Sequence, residues 1–287
     1  MLTWLAVESG ELKTVAVHPY AKINLHLEVG KKRADGFHEI SSLMQEISIC
    51  DDMVVSLSDV ETCINVAGAN IGNDNSLKKA ICAFSKTTGL KFHLNVSLIK
   101  RIPLGAGLGG ASSDAASLIL AMDKLLKTNL SYEELLGIAL EVGSDVPFFL
   151  TGGSARVEGR GEKVYPCKLD RSYVGLLVYP NFPSITKEAY AMLDCDKGRM
   201  YETIDLEGFY SFDSKLFNSF EKPLFERYPE LKEIKDDFLT FASEMSLMSG
   251  AGSSVYGLFS SWEKARDAQL SLLKKWSNCN FFIPIEK

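Results

Sequence analysis

The stretch IPLGAGLGGASSDAAS, residues 102–117, constrains the fold of this 287-residue chain more than any other segment. Its glycines follow the spacing G-x-G-x-x-G from Gly105 to Gly110, and glycines at that spacing let a backbone approach a ligand closely. Apolar residues recur at helical spacing directly afterwards. The segment therefore predicts a glycine-rich loop that opens a helix over 111–126, with unpaired N–H groups that favour an anion.

Other glycine-rich loops do not fit the residues around this one. A dinucleotide-binding fold needs a hydrophobic strand before the glycines and an acidic residue about twenty positions later, whereas IKRIP precedes them here. No Lys-Ser or Lys-Thr pair follows, as a Walker loop requires, and protein-kinase motifs are missing from the sequence. Two interpretations remain: a phosphate site in which Ser112 and Ser113 add donors or an oxygen for Mg²⁺, or a glycine turn with either serine as an ordinary N-cap.

The rest of the chain predicts a mixed α and β structure. Residues 20–29 alternate strictly, which predicts a half-buried strand with Tyr20, Lys22, Asn24, His26 and Glu28 on the face opposite its apolar side chains. Ser131 and Glu134 have the spacing of a capping box at the start of a helix. The other predicted elements are strands within 40–58, 90–100, 253–259 and 279–284, and helices over 76–88, 131–141, 214–220, 229–243 and 261–276.

Composition and charge exclude several classes of protein. The chain is 46% hydrophobic and 24% charged, which is typical of globular proteins, and its length favours two domains. A border is expected in the loop 180–186, with 159–162 as an alternative. The net charge is −6, so nonspecific nucleic-acid binding has no electrostatic basis. The opening residues fit neither a signal peptide nor a membrane span, so we expect a cytoplasmic protein.

The six cysteines are scattered through the sequence. They form no C-x-x-C pair and have no histidine close to them in the sequence, which argues against a zinc site and against a disulfide framework. We expect reduced thiols that are mostly buried.

The glycine-rich stretch resembles the phosphate-loop motif of a superfamily that comprises galactokinase, homoserine kinase, mevalonate kinase and phosphomevalonate kinase (GHMP kinases). Three more segments resemble one branch, the kinases of the non-mevalonate isoprenoid pathway that act on a cytidyl diphosphate of methylerythritol. These segments are AKINLHLEVGKKRADGFHEISSLMQEIS (21–48), GSDVPFFLTGGSARVEGRGE (143–162) and SGAGSSVYGLF (249–259). They occur in the family order.

The resemblance implies an α+β, two-layer fold with two domains. Residues 1–165 are expected to form a β/α domain like domain 2 of ribosomal protein S5, and residues 166–287 a ferredoxin-like α+β domain. It also implies an enzyme that transfers the γ-phosphate of ATP to the 2-hydroxyl of the methylerythritol unit, with Mg²⁺ as cofactor. The sequence identifies no Mg²⁺ ligands, and monomer and homodimer both remain open.

The same resemblance assigns roles to individual residues. Asp145 matches the base that accepts or orients the hydroxyl proton, and Lys22 matches the lysine that keeps this carboxylate ionised. Asn24, Phe37, His38 and Tyr190 match substrate-binding positions, with the aromatic rings placed for stacking on cytosine. The residues expected to bind ATP are Pro103, Leu104, Gly105, Ala106, Gly107, Leu108, Gly109, Gly110, Ala111, Ser112 and Ser113.

Each assignment has a plainer structural alternative. An aspartate before Val-Pro is commonly a turn former, a lysine on the polar face of a strand is usually solvated, and either aromatic could belong to a core. The sequence also departs from the family pattern. Ala106, Ala111, Ala251 and Ser253 replace other small residues, Ser144 stands where alanine is usual, and Asp114 puts a carboxylate near the phosphates where asparagine is common.

Two other functions compete with this one. A homoserine or mevalonate kinase would share the loop at 103–113 but has no need of the segment RADGFHE (33–39). A catalytically inactive ligand sensor on the same fold would be expected to have lost Lys22 or Asp145, and the sequence has both.

Overall fold

The computed structural model describes residues 2–4, 7–8, 11–72, 75–169, 172–193 and 216–286, with side chains from residue 13 onward. The strands are β1 Leu2–Trp4, β2 Val7–Glu8, β3 Glu11–Leu12, β4 Thr14–Val17, β5 Tyr20–Lys32, β6 His38–Cys50, β7 Asp52–Ser58, β8 Cys63–Ala67, β9 His93–Ile99, β10 Ser154–Gly159, β11 Lys163–Pro166, β12 Val174–Val178, β13 Met245–Met248, β14 Val255–Phe259 and β15 Cys279–Phe282. The helices are α1 Ser76–Thr88, α2 Gly110–Leu126, α3 Tyr132–Val142, α4 Val146–Thr151, α5 Thr186–Leu193, α6 Glu221–Arg227, α7 Pro229–Thr240 and α8 Trp262–Leu272.

The chain divides into two compact units whose segments interleave. The first unit contains Met1–Ala21, Ile49–Leu104 and Gly109–Thr151, and the second contains Lys22–Ser48, Gly105–Leu108 and Gly152–Lys287. These units follow spatial contacts, so they are not two continuous halves of the sequence. The division at residues 165 and 166 stays a prediction.

The first unit is built on a five-stranded sheet in the order β1-β4-β7-β9-β8. β8 pairs with β9 in parallel and the other neighbours are antiparallel. β9 alternates between exposed and buried residues, as a strand with one solvated face does. α2 contacts β4 and β7 of this sheet and is itself contacted by α1, α3 and α4. The helix that follows the glycine loop is therefore at the centre of this unit's core.

Local sequence signals place α1 and α3 of the first unit accurately. α1 occupies the predicted range 76–88, and α3 begins with the predicted capping box, in which the Ser131 side chain and the Glu134 backbone and side chain bond reciprocally. Both predictions are confirmed. The cap satisfies N–H groups that would otherwise lack a partner at the start of α3.

The second unit contains two four-stranded sheets, in the orders β11-β10-β6-β5 and β13-β14-β12-β15. β5 corrects one expectation, because its polar face is buried as well as its apolar face. Lys22, Asn24, His26 and Glu28 are between 1% and 8% exposed. The alternation along this strand therefore separates an apolar core from a buried polar layer, and not a core from water.

One predicted helix is wrong over its described part. Residues 214 and 215 of the predicted helix 214–220 lie outside the described residues, and residues 216–220 form a turn with an isolated bridge between Asn218 and Leu27. α6 begins only at Glu221. Within the described residues, no helix has both the length and the apolar composition needed to cross a membrane.

Candidate active site

The glycine loop between β9 and α2 has left-handed backbone at alternate positions. The φ angles are +63° at Gly105, +75° at Gly107 and +69° at Gly109, a region that glycine occupies without steric cost. Gly109 is the N-cap of α2, no side chain caps the helix, and the N–H groups of Ser112 and Ser113 donate to the Gly109 carbonyl. The alternative of an ordinary serine N-cap is therefore wrong.

Residues 105–108 are held by the turn at 249–254, within the second unit. The Ser249 hydroxyl donates to the Gly107 carbonyl at 2.9 Å, and the Ser254 N–H donates to the Ala106 carbonyl at 3.1 Å. The segment SGAGSSVYGLF (249–259) thus fixes part of the glycine loop through hydrogen bonds to the loop's own carbonyl groups.

Lys22 is buried and not solvated as the plainer alternative had it. Its ammonium donates to the Asn24 side-chain oxygen at 2.5 Å, and the Asn24 amide nitrogen donates to the Ser42 hydroxyl at 2.8 Å. Ser42 in turn donates to the His26 carbonyl at 2.7 Å. A Cβ placed on Gly250 would lie 3.2 Å from the Lys22 nitrogen. The ammonium is therefore fixed beside the turn at 249–254, and both ends of the Asn24 amide have protein partners.

Asp145 lies in the turn between α3 and α4, in the first unit, and is partly exposed. The turn is closed by a hydrogen bond from the Val146 N–H to the Gly143 carbonyl at 3.2 Å. This setting agrees with the turn-forming role considered for an aspartate before Val-Pro. Its catalytic role stays a prediction.

The predicted base-binding residues belong to the second unit. Phe37 is 44% exposed and has the Arg160 guanidinium 5.0 Å from the centre of its ring. His38 is buried and stacks on Tyr190, with ring centres 5.0 Å apart and an interplanar angle of 30°. Tyr190 also meets the ring of Phe220 edge to face.

These distances limit where a cytosine ring can bind. A ring inserted between two others needs about 7 Å, two optimal carbon contacts of about 3.5 Å each, and His38 and Tyr190 are closer than that. The exposed ring of Phe37 offers a stacking face without any such rearrangement. The structure thus brings His38 and Tyr190 together, and their roles toward a substrate stay predictions.

Comparison with known proteins places these features in one family. Residues 75–153 match the family described as GHMP kinases N terminal domain, and residues 200–278 match GHMP kinases C terminal. A protein of Treponema pallidum (strain Nichols) named 4-diphosphocytidyl-2-C-methyl-D-erythritol kinase is 36% identical over 93% of this chain and 98% of its own length. The chain belongs to the GHMP kinase family, in the branch of these relatives.

Further relatives agree with this assignment. A kinase of the same name from Thermodesulfovibrio yellowstonii is 40% identical over 87% of this chain and 91% of its own. A crystal structure of 4-(cytidine 5'-diphospho)-2C-methyl-D-erythritol kinase superposes with a TM-score of 0.80 at 31% identity, covering 95% of this chain and all of that one. Homoserine kinase from Cytophaga hutchinsonii, at 17% identity and a TM-score of 0.72 over 98% and 97% of the chains, shares the fold. The predicted GHMP-kinase-like fold is confirmed.

Asp114 of this kinase has a protein partner that the sequence did not suggest. Its side chain is buried, and it accepts a hydrogen bond from the Lys100 ammonium at 2.8 Å. Lys100 also binds Asp51, which is completely buried. Burial is the main reason that the pKa of Asp114 is raised to about 7; Lys100 opposes the shift and Asp51 adds to it. The sequence analysis did not identify Asp51 and Lys100 as residues near the glycine loop. The available signal was that each is a charged residue next to the end of an apolar strand.

A second cluster brings a cysteine close in space to a histidine that is distant in the sequence. Donor atoms of His18, Cys50 and Asp52 lie within 4.8 Å of one another. Asp52 already binds His18 at 2.9 Å and Arg101 at 2.5 Å, so ion pairing explains this arrangement. The described cysteines are also less buried than expected, because Cys63 and Cys82 are exposed.

The start of α2 offers an oxygen donor of the kind that Mg²⁺ accepts. Ser112, half-buried in the first turn, offers a hydroxyl oxygen. Mg²⁺ accepts hard oxygen donors and usually takes only one or two from the protein, because phosphates and waters supply the rest.

Proposed function

We propose that this kinase transfers the γ-phosphate of ATP to the 2-hydroxyl of 4-diphosphocytidyl-2-C-methyl-D-erythritol. The observation that carries the proposal is the start of α2, where a helix without a side-chain cap follows a loop with left-handed glycines. Relatives with more than a third of their residues identical and with this activity in their names support the choice of substrate.

The triphosphate is proposed to bind at residues 103–113. The N–H groups that precede the first hydrogen bonds of a helix are available donors; here these are the ones before Ser112, because Ser112 and Ser113 donate to the Gly109 carbonyl. The helix dipole adds about half a positive charge there. When bound, Mg²⁺ supplies positive charge that bridges the phosphate oxygens and neutralises the charge of the transferring group. Two carbonyl groups of the loop, those of Gly107 and Ala106, are held by hydrogen bonds from Ser249 and Ser254 without any ligand.

Asp145 is proposed to accept or orient the proton of the attacking hydroxyl, and Lys22 to stabilise negative charge on the phosphoryl group. Phosphoryl transfer depends mainly on positioning and on electrostatic stabilisation, so one carboxylate and one cation are sufficient protein groups. Lys22 suits this role because its ammonium is buried and oriented by Asn24, and a charge removed from water acts more strongly. Asn24 thereby contributes through Lys22, in addition to any bond to the substrate.

The cytosine is proposed to stack on Phe37, with His38 at the edge of the base. Tyr190 is proposed to reach the opposite side of the base, which requires its stacking contact with His38 to open. Aromatic faces bind bases through stacking that contributes about 1–3 kcal/mol for each base. Phe37 is presented by a tight turn, in which the Arg33 N–H donates to the Phe37 carbonyl at 2.7 Å and the Phe37 N–H donates to Asp35 at 3.1 Å. The backbone that carries the ring is therefore held in place, and the ring surface stays open.

Coupled measurement of ADP release tests the function. The purified chain is supplied with MgATP and, separately, the cytidyl diphosphate substrate, homoserine or mevalonate, and the product is identified by phosphorus NMR. We expect kcat/KM for the cytidyl substrate to be at least about 10³-fold higher than for the others, since sites built around polar groups discriminate this strongly. A preference for homoserine or mevalonate contradicts the proposed substrate. Folded protein that binds the cytidyl substrate without releasing ADP is a ligand sensor.

A further inference from the structure

A buried cluster of three charged side chains lies where the chain enters the glycine loop. The side chains of Lys100, Asp51 and Asp114 are 2%, 0% and 3% exposed, and the Lys100 ammonium contacts both carboxylates. Asp51 lies between β6 and β7, Lys100 directly follows β9, and Asp114 is in α2. Three elements of the first unit are thus joined at one ammonium group.

The cluster fixes the backbone that precedes the loop. One oxygen of Asp51 accepts hydrogen bonds from the N–H groups of Arg101 and Ile102, the latter at 2.8 Å. The Asp51 N–H donates to the Pro19 carbonyl at 2.9 Å, and the Lys100 N–H donates to the Ala67 carbonyl at 2.8 Å. Both ends of the cluster are therefore anchored to neighbouring chain segments, and the two residues before Pro103 have a single orientation.

The cluster also changes the electrostatics at the start of α2. A Cβ placed on Gly110 would lie 3.2 Å from the Lys100 nitrogen, so the ammonium is adjacent to the first residue of the helix. Two carboxyl groups share this one ammonium. The second oxygen of Asp114 is buried without a hydrogen-bond partner, and an unsatisfied carboxyl is costly in such a place. Lys100 therefore adds positive charge where anions bind, and Asp114 subtracts from it.

We propose that Lys100 is a positioning residue for the phosphates of a nucleoside triphosphate, and that Asp114 opposes it. Lys100 and Asp51 hold residues 101 and 102 and the first turns of α2 in place, and the ammonium reinforces the positive end of the helix. The inference rests on the proposed function only in taking ATP as the ligand. It predicts that two side chains that share a hydrogen bond have opposite effects on the affinity for the nucleotide.

A purely structural cluster predicts something else. If the three residues only stabilise the fold, replacing any of them weakens the protein, and no substitution tightens nucleotide binding. An electrostatic role predicts that Asp114→Asn tightens it when binding is measured above pH 7, where the Asp114 carboxyl (pKa about 7) is mostly ionised, because the amide oxygen still accepts the bond from Lys100 while the negative charge is lost.

The experiment measures MgADP binding by calorimetry on the full chain, together with KM values for ATP and for the cytidyl substrate. We expect Lys100→Met to weaken MgADP binding about tenfold and Asp114→Asn to tighten it about threefold, as charges at a helix N-terminus do. The KM for the cytidyl substrate should change less than about twofold in both variants. Lys86→Met is the matched control, because Lys86 lies in the same unit and pairs with Glu141 at the surface, 3.0 Å away.

Each outcome decides the matter. Equal losses of MgADP affinity and of cytidyl-substrate affinity in Lys100→Met would overturn the positioning role, and so would unchanged or weaker MgADP binding in Asp114→Asn. The second variant retains the hydrogen bond to Lys100, so it decides the question even where Lys100→Met fails to fold. MgADP binding needs no turnover. A wild-type chain that binds MgADP without phosphorylating the cytidyl substrate would contradict the proposed substrate and leave this test intact.

Discussion

Gly107→Ala tests whether the glycine loop is fixed by its packing against the turn at 249–254. A Cβ at Gly107 would lie 2.0 Å from the Ser249 carbonyl oxygen and 2.9 Å from that of Gly252. Both are backbone atoms, which cannot rotate away as a side chain can. The sequence suggested that a side chain here would obstruct the approach to a triphosphate. The structure adds that it would first meet the protein's own backbone.

The expected loss of stability has two parts. The φ angle of Gly107 is +75°, and a residue with a Cβ loses about 1–2 kcal/mol in the left-handed region. Relief of the clash adds about 1–3 kcal/mol, as overpacking of a close-packed site does. We therefore expect the free energy of unfolding to fall by about 2–5 kcal/mol.

Gly89→Ala separates the two parts. Gly89 ends α1 with a φ of +69°, and a Cβ there meets no atom within 4 Å. It has the conformational cost without the clash, so its loss should stay near about 1–2 kcal/mol. Calorimetric melting of both variants, with the KM for ATP measured on each, gives the comparison. We expect Gly107→Ala to melt lower and to raise the KM for ATP, whereas Gly89→Ala leaves that KM unchanged. Equal melting temperatures and equal KM values would refute the reasoning.

Three further predictions concern chemistry, recognition and pH. Asp145→Asn and Lys22→Ala should each lower kcat by about 10²–10⁴-fold with both substrates saturating. The double variant should lose much less than the product of the two single losses, since groups that act together are not additive. A near-normal kcat in Asp145→Asn would contradict the mechanism. His38→Ala should raise the KM for the cytidyl substrate about tenfold and leave the KM for ATP unchanged. His93→Ala, on the exposed face of β9, is the control. A change in the KM for ATP alone would reverse the assignment of the two ligands. Burial lowers the pKa of His26 from 6.5 to about 4, so the unfolded chain binds the proton first and the free energy of unfolding should fall by up to about 3 kcal/mol as the pH drops from 6.5 to 4. The free energy of unfolding, measured with urea at several pH values in this range, should depend less steeply on pH in His26→Gln than in the wild type. An identical pH dependence in the two proteins would rule His26 out as its source.

Local signals in the sequence were sufficient for α1, α2 and α3 of the first unit and for the glycine loop, whereas the short helix α4 was not predicted. The range 76–88 and the capping box at Ser131 depend on residues within one or two turns of each other, and both were predicted correctly. The burial of the polar face of β5 was missed for a different reason. Alternation tells which residues share a face of a strand, but it does not tell what covers that face. Lys22, which alternation alone would leave in solvent, is therefore buried under this layer.

Strand register explains the clusters that sequence analysis did not find. β7 pairs with β9 so that Asp52 faces Ile99, and one step further this register brings Asp51 to Lys100, 49 residues away. β4 pairs with β7 so that Val17 faces Met53, and the same step brings His18 to Asp52. Register is set by packing across the whole sheet, so no window of sequence contains it. The two consecutive aspartates look equivalent in the sequence. Asp51 nevertheless lies in the buried cluster that precedes the glycine loop, whereas Asp52 lies in a partly exposed ion pair. A charge at the end of an apolar strand therefore becomes informative once the neighbouring strand and its register are known.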